Sequence, residues 1–131
     1  MAQTSISASE PERASQLYQR GREAMDIGDH ESAIRLFEES AAIDPHFKTL
    51  ELLGECLLKM RRYHPAIMPL AAAVGLGNKP FRALYLLAQA LDESGSRRNA
   101  IEKLEEAIRI NPDYKAAREL MAKLNASQTR Y

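Results

Sequence analysis

Leu17, Leu50 and Leu84 stand in one column of a repeat whose spacing is 33 and then 34 residues. Gly21, Gly54 and Ala88 keep those offsets. So do Ala33, Ala66 and Ala100, each followed by an isoleucine (Ile34, Ile67, Ile101). Phe37, Leu70 and Leu104 match next, then Ser40, Ala73 and Ala107. Chance does not hold one offset across so many columns. A unit of this length buries its apolar face only by lying against a neighbour, so the chain is expected to be a stack.

Within each unit apolar residues recur at three- and four-residue steps, the period of amphipathic helices. Turn chemistry cuts each unit in two. "DIGDH" (26–30) and "SGSRR" (94–98) supply glycine to end one helix and Asp29 or Ser96 to cap the next. "DPH" (44–46) and "NPD" (111–113) place proline in the first turn of the following helix. Ser9 with Glu12 forms a capping box. These signals predict helices near 10–27, 30–43, 46–60, 65–74, 79–94, 97–110 and 112–126, after a loose tail over 1–9. Gly21, Gly54 and Ala88 are expected where Ala33, Ala66 and Ala100 cross them, so that paired helices approach closely.

A chain of 131 residues with 45% apolar and 27% charged residues suits one soluble packed domain. Lys plus Arg equals Asp plus Glu at 18 each, which argues against nucleic acid or an anionic membrane bound by bulk attraction. "MAQTSISAS" has neither a basic start nor an apolar stretch, so no secretory leader is expected. Cys56 is the single cysteine, and a reducing cytoplasm is the expected compartment.

The columns resemble the tetratricopeptide repeat. "LYQRGREAMDIGDHESAIRLFEESAAIDP" (17–45) and "LYLLAQALDESGSRRNAIEKLEEAIRINP" (84–112) carry the pattern well, and "LELLGECLLKMRRYHPAIMPLAAAVGLGN" (50–78) less well. The resemblance implies an all-α right-handed superhelix of three helical hairpins, at 10–46, 47–80 and 81–114. A capping helix over 115–126 and a tail over 127–131 follow. Two departures have physical reasons. Arg20 stands where Leu53 and Leu87 stand later, since the first repeat has no neighbour in front of it. "DYKAARELMAKLNA" puts Ala116, Ala117, Leu120, Met121 and Leu124 on one face, as a solvating cap does.

The resemblance further implies that the first helix of each pair lines a concave groove that binds proteins or peptides. Projecting the helix faces makes Tyr18, Arg22, Lys48, Glu51, Glu55, Lys59, Arg82, Tyr85 and Gln89 groove candidates, with Leu52 and Leu86 near the floor. Tyr18 and Tyr85 join apolar area to a hydroxyl, a residue type that anchors interfaces; equally, any such helix must show some polar face to water. Family members that grip the C-terminal carboxylates of Hsp70 and Hsp90 use Lys and Asn on the first groove helix, Asn on the second, and Lys with Arg on the third. Tyr18, Arg22, Leu52, Arg82 and Leu86 occupy those places. Only Arg82 keeps the charge, and Leu52 cannot hydrogen-bond a carboxylate. That clamp is not expected.

Residues 64–78, "HPAIMPLAAAVGLGN", carry no formal charge, whereas the equivalent helices carry Glu31, Arg35, Glu38 and Glu39, or Glu102, Lys103, Glu105, Glu106 and Arg109. Three explanations stay open: ordinary apolar surface, a short bent helix broken by Pro69 and Gly75, or a partner surface at Met68, Pro69 and Ala72. The last makes a homodimer the alternative function. The layout is also similar to the three-repeat chaperones of type III secretion translocators, although those carry a longer N-terminal helical region. No stretch here is long and unbroken enough to insert in a membrane.

Chemistry finds little support. His30, His46 and His64 lie at turns without a second ligand at metal spacing. Glu38-Glu39 and Glu105-Glu106 face outward, and "GLGNKP" lacks the phosphate-loop spacing. Cys56 falls on a packing face, where a thiol is inert. No catalytic residue, metal or cofactor is expected.

Overall fold

The structure, a computed structural model, describes residues 9–128. They form seven helices: α1 (Glu10–Asp26), α2 (His30–Ile43), α3 (Phe47–Lys59), α4 (Tyr63–Leu76), α5 (Phe81–Glu93), α6 (Arg97–Ile110) and α7 (Lys115–Gln128). There is no strand among the described residues. Of the tails expected at 1–9 and 127–131, residues 1–8 and 129–131 lie outside them, while Ser127 and Gln128 extend α7 instead. Ser9 caps α1: its hydroxyl accepts the Glu12 N–H at 3.4 Å and donates to the Glu12 carboxylate at 3.0 Å. The Asp29 carboxylate accepts the Ser32 N–H at 3.2 Å. Ser96 holds the equivalent place before α6, but its hydroxyl makes no capping bond.

The three within-pair turns are built alike. Asp29, Arg62 and Ser96 each return a backbone N–H to the carbonyl five residues back, on Ala24, Leu57 and Leu91, at 2.9, 2.8 and 2.8 Å. This closure requires a left-handed residue just before the returning N–H. Gly28 (φ 81°) and Gly95 (φ 91°) supply it in the outer pairs, and Arg61 (φ 59°) in the middle one.

That shared turn corrects the expectation for the uncharged helix. It begins at Tyr63 and not 65, and its 14 residues equal those of α2 and α6. Pro65 lies in the first turn, where an N–H has no intrahelical acceptor. Pro69 forgoes one internal bond, Gly75 stays helical, and the stop comes at Gly77. Pro45 and Pro112 are corrected too, since both precede the helices they were expected to open. His46 caps α3 through Nδ1, which accepts the Lys48 N–H at 3.2 Å.

Packing follows the columns with one change of partner. The space over Gly21 is filled by Phe37 and that over Gly54 by Leu70; Ala33 and Ala66 are not the filling residues. Ala33, Ala66 and Ala100 are nonetheless fully buried. Leu53 and Leu87 are buried between successive pairs while Arg20 stays exposed, as a first repeat allows. Ser40, where later repeats carry alanine, donates its hydroxyl to the Ala14 carbonyl at 2.8 Å and ties α2 to the start of α1. One core runs from Phe37 through Leu53 and Cys56 to Leu87, and a second from Leu84 through Leu104 to Ala117 and Leu124 on α7.

Candidate protein-binding groove

The first helices of the pairs, α1, α3 and α5, carry all the residues singled out for the groove. Charge organises the middle of this face. Glu51 is 4% exposed, and its Oε1 accepts Lys48 Nζ at 2.9 Å and Arg82 at 3.2 Å. Arg82 also donates to Glu55 Oε1 at 2.7 Å. Burial works against the Arg82 charge, but the bond to Glu55 and the fields of both carboxylates outweigh it and hold the guanidinium above its ordinary pKa. Lys48, Glu51, Arg82 and Glu55 thus form a neutral bar joining α3 to α5.

A cleft opens on each side of the bar. One, of about 260 Å³, lies against the end of α2 as well as α1 and α3, with Tyr18, Ser40, Asp44, His46, Lys48 and Thr49 in its walls. The other, of about 340 Å³, brings together Glu55, Lys59, Arg82, Tyr85, Leu86 and Gln89, with Leu58 added. Leu58 and Gln89 continue into a third hollow of about 240 Å³ that reaches Leu120 and Lys123 on α7. Leu52 and Leu86 are buried, as floor residues should be. Arg22 lies outside these clefts, with its guanidinium carbon 6.0 Å from the Tyr18 ring centre.

Two contributors escaped the sequence. Tyr114, in the turn before α7, meets Tyr85 edge-on at 5.6 Å and Phe81 at 5.0 Å. Burial first, then the Glu119 carboxylate, pushes the Tyr85 hydroxyl above its ordinary pKa and keeps it neutral. Leu58 lines both the Tyr85 cleft and the third hollow. The signal for Tyr114 was its place one repeat after Pro80, directly ahead of a first helix.

On the opposite helices, Met68 is 78% exposed and Leu76 56%. Ala72 is exposed and Pro69, expected beside it at the surface, is half-buried. Cys56 is fully buried, and that burial together with Glu55 pushes its thiol up to about 11. Among the described residues no helix is long and apolar enough to cross a membrane.

Two family models, each described as a tetratricopeptide repeat, match residues 18–83 and 81–123. The chain belongs to the tetratricopeptide repeat family. Its three hairpins and capping helix form the all-α right-handed superhelix that the resemblance implied. Tetratricopeptide domains are protein-interaction scaffolds. A similar solved structure is MamA 41-end from Desulfovibrio magneticus RS-1, 27% identical, with a TM-score of 0.83 over 88% of this chain and 66% of that one. The first TPR of Spaghetti (RPAP3), bound to an HSP90 peptide, shares the fold with a TM-score of 0.86 at 16% identity, over 95% of this chain and 98% of that one. Protein unc-45 homolog B of Mus musculus is 24% identical over 118 residues, 87% of this chain. The chain spans 13% of that relative's length and just under two thirds of the MamA chain.

Proposed function

We propose that the protein is a non-catalytic scaffold or adaptor that holds a protein segment in the trough formed by α1, α3 and α5. One observation carries this most: the cleft where Tyr85 and Leu86 supply apolar wall and floor while Gln89, Lys59 and Arg82 offer polar groups at its rim. Such a mixture of buried apolar area and a few convergent polar groups is what recognition sites use. The solved relative that holds an HSP90 peptide supports peptide binding as a use of the fold. It does not support the same ligand here, because Arg82, the one clamp cation retained, is already neutralised by Glu51 and Glu55. The test is a peptide array probed with the wild type and with Tyr18→Ala plus Tyr85→Ala, folding being checked by thermal melting. Loss of binding by a folded variant supports the trough; unchanged binding removes it.

A second reading rests on Met68 and Leu76, large apolar side chains exposed on a helix without any charge. It makes α4 a homodimer surface, in keeping with an assembly protein. Light scattering tests it: a monomer at tens of micromolar protein, unchanged by Met68→Glu, would remove it.

A further inference from the structure

Two hydroxyls stand deep in the cleft beside Tyr18, and only one of them is satisfied. Ser40 is 2% exposed and spends its hydrogen on the Ala14 carbonyl at 2.8 Å, so its oxygen has only lone pairs left to offer. Thr49 is 3% exposed, and among the described residues its hydroxyl has no hydrogen-bond partner. Nor is it sealed in, since among the described residues His30 Nδ1 is the one fully shielded side-chain polar atom that lacks a partner. Buried polar groups of folded proteins find partners, and for Thr49 only the cleft can supply one.

The charges around this opening cancel. Lys48 is tied to Glu51 at 2.9 Å, and Asp44 stands exposed at the rim without an ion-pair partner among the described residues. His46 accepts the Lys48 N–H at Nδ1, which leaves its ring proton on Nε2 as a donor. We infer that this cleft is a side-chain pocket for a primary amide, the Asn or Gln of a segment lying in the trough. This rests on the trough being the binding site.

An amide joins two donor hydrogens to an acceptor oxygen, and the walls ask for both. Its nitrogen can donate to Ser40 Oγ and the Asp44 carboxylate, while its oxygen can accept from the Thr49 hydroxyl or His46 Nε2–H. A carboxylate has nothing to donate to Ser40 Oγ and meets Asp44 as a like charge. An ammonium has no acceptor for Thr49 or His46 and shares the cleft with Lys48. Its one attraction, Asp44, is exposed, where an ion pair contributes little. An apolar side chain would shut the Thr49 hydroxyl away from water unpaired. Size agrees: about 260 Å³ is roughly the liquid volume of eight waters, room for one such side chain with some water and for no folded element.

The probe is the strongest-binding peptide of an array of peptides blocked at both ends, remade with Gln, Asn, Glu, Lys or Met at each position in turn. Affinities are measured by fluorescence anisotropy. At one position the amide versions should bind about tenfold tighter than the other three, the effect of one or two added neutral hydrogen bonds. Thr49→Val puts a methyl where the hydroxyl stood, and it should bring Gln and Met level at that position while the melting temperature shows a folded protein. Thr49→Ser should keep the preference. The absence of any position that prefers an amide would overturn the inference, as would a preference that survives Thr49→Val or is lost in a folded Thr49→Ser. Tyr85→Ala, in the other cleft, reports on the trough separately. Peptides that it weakens but that show no amide preference would overturn this inference alone, and an array without a binder would overturn both readings.

Discussion

Gly54 on α3 lies directly beneath the Leu70 side chain of α4: a Cβ built on the glycine would sit 2.3 Å from both Cγ and Cδ2 of that leucine. Gly21 stands in the same relation to Phe37, with the nearest ring carbon at 2.6 Å. Alanine is the better helix former by about 1 kcal/mol, whereas overpacking costs about 1–3 kcal/mol. At Gly54 the clash reaches the branch point of the leucine, which cannot swing aside without leaving its rotamer. Gly54→Ala is therefore expected to lose about 2 kcal/mol net. Gly21→Ala should lose less, because a ring edge can tilt. Urea denaturation measures both as a lowered midpoint at constant slope. Stability equal to wild type in Gly54→Ala would mean that the two helices are not in this close contact.

Arg61 holds a left-handed backbone, φ 59°, at the place where Gly28 and Gly95 stand in the other two turns. A residue with a Cβ pays about 1–2 kcal/mol for that conformation, and glycine loses about 0.5–1 kcal/mol of chain entropy instead. Arg61→Gly should raise stability by about 0.5–1 kcal/mol, read as a higher melting temperature. Gly28→Ala and Gly95→Ala are the converse, expected to lower it even though open space surrounds both glycines. A stabilised Gly95→Ala protein would contradict the account of the turn.

Cys56 is fully buried, and burial followed by the nearby Glu55 charge raises its thiol from 9.0 to about 11. At neutral pH it should resist thiol reagents until the protein unfolds, so that labelling rate reports opening of the core. The same shift fixes a pH dependence. The folded state favours the neutral thiol, and the unfolded chain ionises first. The stabilisation is complete below about pH 9 and is lost as pH rises to about 11. Two pKa units set its ceiling at about 2.7 kcal/mol. Cys56→Ser should show a shallower fall over that window. Parallel curves would show that the thiol ionises freely in the native state.

The repeat columns made the paired helices legible, because spacing, turn residues and apolar period all agree on the same boundaries. The start of α4 falls at Tyr63, in the column of His30 and Arg97, two residues before the start expected at Pro65. A proline is silent in a first turn, so the column was the stronger signal. Facing positions on α1, α3 and α5 could be projected, but their charge pairing could not. Arg82 meets Glu55 and Glu51 from 27 and 31 residues away, and helical spacing says nothing about contacts across separate helices. Tyr114 was missed for a related reason: a turn residue has no periodic face to project.

That cross-helix pairing yields the sharpest stability test. Arg82→Leu leaves Glu51 buried with Lys48 alone and takes from Glu55 its only cation among the described residues. Breaking a fully buried pair costs about 3–5 kcal/mol, but Arg82 is 38% exposed and water screens part of the loss, so about 1–3 kcal/mol is expected. If the bar acts as a unit, the cost must shrink once Glu51 no longer carries charge. In a Glu51→Gln background Arg82→Leu should therefore cost about 1 kcal/mol less than in wild type. High salt should leave much of that coupling intact, because one partner is shielded from solvent. A cycle measured by urea denaturation, with the two substitutions adding within about 0.5 kcal/mol, would show that Arg82 and Glu51 are neighbours without being energetic partners.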